Sequence, residues 1–159
     1  MIIHNVHVEN SPETSDVKIT DGVITAIGAS LQPTGDDEVI DARGGLLIPP
    51  FVDPHVHLDA ALTAGDPEWN ETGTLFDGIR IWSERKKTLS VGDVKNRAKQ
   101  TIMMMAAHGI QYVRTHIDVT DPDLTALHAM LALREEVDPY VDLQIVAFPQ
   151  EGILSFPHV

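Results

Sequence analysis

The stretch Ile48-Pro49-Pro50-Phe51-Val52-Asp53-Pro54-His55-Val56-His57-Leu58-Asp59 governs how the rest of the chain is read. A short apolar run ends in two histidines one residue apart. In a strand, alternate side chains share a face. His55 and His57 then point one way, together with Phe51 and Asp53, while Val52, Val56 and Leu58 point into packing. Two imidazoles at i and i+2 on a rigid strand reach one cation, and imidazole suits zinc, iron, copper or nickel. A His-x-His by itself is a weak signal, because most lone histidines sit at surfaces or hydrogen-bond in cores. Here the pair closes a run that follows Gly44-Gly45 and Pro49-Pro50, and a long polar loop comes next.

Upstream, residues 1–48 read as short β-strands. Ile2, Ile3, Val6 and Val8 form the first; Val17 and Ile19 alternate in the second; Asp21-Gly22 supplies a two-residue turn into Val23, Ile24 and Ile27. Val39 and Ile40 begin a further strand. His4 and His7 differ by an odd number, do not share a strand face, and read as surface or structural.

Downstream, residues 60–88 form a loop with some helix, and a connection that long is usually functional. Ser90 to Asp93 resembles a capping box with Asp in place of Glu. Val91, Val94, Ala98, Ile102 and Met105 then recur at helical spacing, and Gly109 ends the helix. Met103-Met104-Met105 reads as packing, with one methionine inward. Ile110 to Ile117 is a strand. Asp121-Pro122 starts a helix whose face is Leu124, Leu127 and Leu131, and Val141 to Phe148 is another strand. Strands alternating with helices imply a parallel sheet with right-handed crossovers.

The residues around the histidine pair, from Gly44 to Asp59, resemble the first barrel strand of the amidohydrolase superfamily. Thr63-Ala64-Gly65, Trp69-Asn70, Gly73 to Phe76, Val113 to His116 and Asp142 to Ile153 are similar to its bacterial cytosine deaminase branch, and to relatives acting on aminotriazines. The resemblance runs to about Pro157. It implies an α/β fold: the first strands and helices of a (β/α)8 TIM-type barrel, preceded by a small β-sandwich unit. The expected division is 1–48 for the β-unit and 49–159 for three β/α units. A whole barrel takes roughly 250 residues, so within 159 residues it is incomplete.

The same resemblance implies one divalent metal ion per site, zinc or iron, with His55 and His57 as its first ligands. The remaining ligands, and the glutamate that serves as general acid and base, are expected downstream of Val159. Gln150 offers an amide with one acceptor and two donors, suited to the carbonyl and ring N–H edge of a pyrimidine; in the family the matching glutamine contacts the base. A loop-capping amide is its plainer role. Leu75 matches a pocket-wall residue. Asp53 and His116 are expected to support the site from behind, His116 as a hydrogen-bonded interior residue rather than a ligand. The implied reaction is hydrolytic deamination of cytosine or a similar amino-substituted N-heterocycle, with an aminotriazine as the alternative ring. The isolated chain is expected to be inactive, and a non-catalytic module that needs a partner is the alternative of another class. The full-length protein is expected to be a homo-oligomer.

Composition narrows the partners. The net charge is −13, with 24 acidic against 11 basic residues, which disfavours nucleic acid and anionic membranes. Seven of the basic residues fall within 80–99, a segment read as a solvated helical face in preference to a phosphate site. No cysteine is present, so the zinc deaminases built on Pro-Cys-x-x-Cys are excluded. No signal-peptide pattern or membrane-length apolar run occurs, and a cytoplasmic location is expected.

Overall fold

A computed structural model describes residues 1–154 and 156. Pro157, where the resemblance ends, and Val159, beyond which the general acid and base is expected, lie outside the described residues. The chain divides into two compact units, Met1–Pro49 and the residues from Pro50 onward.

The first unit holds β1 (Ile2–Val8), β2 (Thr14–Thr20), β3 (Val23–Gly28), β4 (Val39–Asp41) and β5 (Leu46–Leu47). They make one sheet of order β3-β2-β1-β4, with β5 also paired to β1. β1–β2 and β2–β3 are antiparallel, while β4 and β5 run parallel to β1. Asp21 and Gly22 both have positive φ, as a tight primed hairpin turn requires. Ile2, Val6 and Val17 are buried. Asp16 is buried beside them, and its carboxylate accepts from the Asn5 and Leu31 amides and pairs with His4. His4 is thus structural.

The second unit holds β6 (Phe51–Val56), α1 (Leu75–Lys86), α2 (Val91–Ala107), β7 (Ile110–Asp118), α3 (Thr125–Val137) and β8 (Asp142–Phe148). The strands form a parallel sheet of order β6-β7-β8. Val113, Ile117, Leu143 and Val141 meet Val94, Ala98 and Ile102 of α2 and Ala129, Met130 and Leu133 of α3 in one core. This face of the sheet is dry. The other carries Tyr112, Arg114, His116, Gln144 and Phe148, in register across β7 and β8.

Ser90 caps α2 by accepting from the Asp93 amide, and Gly109 follows its end at positive φ. Three expectations need correction. The buried face of α3 is Ala126, Ala129, Met130, Leu133 and Val137; Leu127 packs partly buried against the same core, but Leu131 is exposed, so the inner stripe runs through the alanines rather than from Leu127 to Leu131. The helix begins at Thr125, after Leu124 in a left-handed conformation, although Asp121 does accept the Thr125 amide. The basic segment is no simple solvated face. Arg80, Arg85, Lys86, Lys87, Lys95, Arg97 and Lys99 are all ion-paired within the protein, and Arg85 and Lys86 are nearly buried.

Candidate metal and substrate site

β6 ends at Val56, and His57 stands one residue beyond it. The turn that follows is held firmly. Leu58 is fully buried, and its amide donates to Thr115 Oγ1 at 3.1 Å. Arg97 reaches from α2 to the carbonyls of Asp59 and Ala61, at 2.8 and 2.6 Å, while its guanidinium also pairs with Asp93. This fixes the backbone from which His57 projects.

The two rings converge, with centroids 5.4 Å apart. His116 from β7 stacks on His55 at 3.9 Å and lies 6.0 Å from His57. Phe148 of β8 sets its edge against His57 at 5.2 Å. His116 Nδ1 is buried and has no hydrogen-bond partner among the described residues. Burial, then the neighbouring His55, His57 and Arg114, hold its pKa below the ordinary imidazole value, so this ring is neutral.

Strand parity gives the wrong partners for the pair. The β6–β7 register shifts between Asp53 and Val56, where β6 spends one residue more than β7. Such a bulge re-aims the side chains beyond it. Val52 pairs with Tyr112 on the open face and is 63% exposed, so it does not pack inward as expected. Asp53 pairs with Val113, whose side chain is in the core, and so does not share the histidine face. Its carboxylate accepts instead from the His55 amide at 3.1 Å, supporting the bulge through the backbone.

Gln150, Leu75 and His57 line one cavity of ≈ 510 Å³, together with Asp59, Asn70 and Trp82. Leu75, 73% exposed, stands at its mouth. Trp69 is not part of this lining; it packs against Gly65, where an added Cβ would come within 2.9 Å of the indole. The floor is polar and ionic. Asp59 is 1% exposed and accepts from the Asp118 and Ala60 amides. Burial raises its pKa despite those bonds and the nearby His57. Asp118 is buried too, but hydrogen bonds from Lys86, Thr120 and Trp82 outweigh that burial and lower its pKa.

Sequence reasoning did not pick out Trp82, Asp118, Lys86 or Glu151. A weak signal exists: Leu75, Ile79, Trp82 and Lys86 recur at helical spacing, which gives α1 one stripe toward the cavity. Nothing in the sequence says which strand ends that stripe meets.

The donor chemistry suits a divalent cation: two imidazoles side by side at the end of a parallel strand, with a third, His116, stacked behind them from the next strand. Among the described residues no set of three or more His, Asp or Glu side chains is arranged to hold an ion. A catalytic zinc usually takes three protein ligands, and the convergent pair offers two imidazoles.

The family model for the amidohydrolase family matches residues 38–158, and the chain belongs to that family. The crystal structure of 5-methylcytosine deaminase from Klebsiella pneumoniae, liganded with 5-fluorocytosine, is 51% identical with a TM-score of 0.90, over 99% of this chain and 38% of that one. N-isopropylammelide isopropyl amidohydrolase of Pseudomonas sp. (strain ADP) is 32% identical over 157 residues, 96% of this chain and 39% of the relative. N-isopropylammelide isopropylaminohydrolase from Burkholderia multivorans is 29% identical with a TM-score of 0.79, over 98% of this chain and 39% of that one. The chain thus spans about two fifths of the length of these relatives.

Proposed function

We propose that this chain is the metal-binding and ring-binding amino-terminal portion of a hydrolase that removes the amino group of cytosine or a close aminopyrimidine. The observation that carries the reading is the convergence of His55 and His57 beside a cavity that also presents Gln150. The 51% identity to a deaminase liganded with 5-fluorocytosine supports the pyrimidine ring. His55 and His57 would hold a divalent ion, zinc or iron. When bound, the ion supplies Lewis acidity and a lowered pKa for water at the ring.

The chain's own residues do the rest of the positioning. His116 stacks on His55 and limits its rotation. Gln150 offers a donor and an acceptor to the polar edge of the base. Leu75 and Trp82 cover apolar ring surface and exclude water. The glutamate that the family resemblance implies as the proton-moving group is expected downstream of Val159. A second reading, an aminotriazine substrate, is favoured by the similarity to the two isopropylammelide hydrolases. Turnover of cytosine against ammelide-type triazines by the intact enzyme separates the two.

In the full-length protein, His55→Ala is expected to abolish both metal retention, read by elemental analysis, and ammonia release from cytosine. Turnover that persists without bound metal sinks the proposal.

A further inference from the structure

We propose that Glu151 is a positioning residue: it ties the loop carrying Gln150 to helix α1 and thereby sets how the heterocycle fits the cavity. This rests on the functional reading above. Glu151 follows Gln150 directly, in a loop turned by the Gly152 amide bonding to the Pro149 carbonyl at 2.9 Å. Its Oε1 accepts from Ser83 Oγ and from Lys86 Nζ, the latter at 2.9 Å. Among the described residues, both side-chain bonds that join this loop to α1 end on that one oxygen.

The donors belong to the stripe that forms the cavity wall. Leu75, Ile79 and Trp82 line the cavity, and Ser83 and Lys86 continue the same side of the helix. Glu151 therefore sets the distance between the two walls, α1 and the loop. Lys86 is firmly placed: its side chain is 10% exposed, and Nζ also bonds Asp118 at 2.9 Å and Thr120 Oγ1 at 2.6 Å.

This arrangement separates fit from stability. If Glu151 is lost, Lys86 keeps Asp118 and Thr120, and the single Ser83 hydroxyl proton is free to go wholly to the Ile79 carbonyl at 2.9 Å. One Lys86 N–H loses its acceptor, but the ammonium keeps Asp118 as its counter-charge, so the full cost of an unpaired buried charge does not arise. The loop alone is released.

The test uses the full-length, metal-loaded enzyme with cytosine as probe, followed by calorimetry, steady-state kinetics and amide hydrogen exchange. Glu151→Ala is expected to raise Kd and KM about tenfold, the effect of roughly one lost charge-assisted hydrogen bond. Metal content stays near wild type, the melting temperature falls only modestly, and amides of residues 150–152 exchange faster. Glu151→Gln keeps the acceptor oxygen and restores most of the affinity. Ser83→Ala weakens binding less, and adds little on top of Glu151→Ala because both remove the same contact.

Unchanged loop exchange in Glu151→Ala overturns the anchoring, whatever the enzyme binds. Faster exchange with unchanged KM overturns its role in fit. A loss that Gln does not rescue and that Ser83→Ala does not share points to direct contact with substrate, and overturns positioning. A wild-type enzyme that ignores cytosine overturns the functional reading instead, and the exchange arm still decides the anchoring.

Discussion

Thr115 shows how one side chain serves a site it does not enter. It is fully buried among apolar neighbours, and its hydroxyl accepts from the amide of Leu58, the residue after His57. Thr115→Val keeps the shape and strands that amide. A buried donor without a partner costs about 1–3 kcal/mol. The variant is expected to lose about that much stability in urea unfolding, and to retain metal less well because the turn below His57 loosens. Wild-type stability would show that the amide finds another acceptor. Asp53 teaches the complementary lesson: its carboxylate serves the backbone of the bulge, and its worth to the site lies in where His55 is sent.

At the level of elements, one acid in the first turn of α2 joins several of its ties. Asp93 gives its amide to the Ser90 cap, and its carboxylate accepts from Arg97 and Arg85. Hydrogen bonding and charge from these arginines outweigh partial burial and hold its pKa below the ordinary 3.8. A depressed carboxylate adds stability that is fully present above its unfolded value and is lost as pH falls through the folded one. Stability is therefore expected to fall below about pH 4, and Asp93→Asn to flatten that part of the pH profile while lowering stability at neutral pH. Identical pH profiles for the two proteins would remove Asp93 from the account. Arg97 couples the same acid to the carbonyls behind His57, so acid loosening of α2 reaches the histidine turn.

For the molecule as a whole, two observations matter among the described residues: two convergent histidines without a set of three His, Asp or Glu arranged to hold an ion, and a three-stranded sheet with a single neighbour for each of β6 and β8. Open edges invite pairing with other chains, and Val52 and Tyr112 leave apolar surface on the open face. The 159-residue polypeptide alone is expected to bind zinc weakly, to release no ammonia from cytosine, and to self-associate with concentration in sedimentation. A monodisperse monomer with tight, stoichiometric zinc contradicts this. No helix among the described residues is long and apolar enough to cross a membrane.

Much of this was legible from one dimension. Alternation, turn chemistry and capping are local physics, so β1 to β3, the Asp21-Gly22 turn, the Ser90 cap and the strand–helix alternation could be read directly from the residues. The histidine pair was legible for the same reason, since its two members lie within one strand's reach. What needed tertiary structure is whatever depends on a partner distant in sequence. The register shift that turns Val52 outward and Asp53 away arises only when β6 meets β7. The union of Gln150 with Leu75 and His57 in one cavity arises only when α1 folds over the strand ends. Lys86 is an ordinary helix cation until Asp118 and Glu151 arrive from other elements to neutralise it, and that makes its burial tolerable.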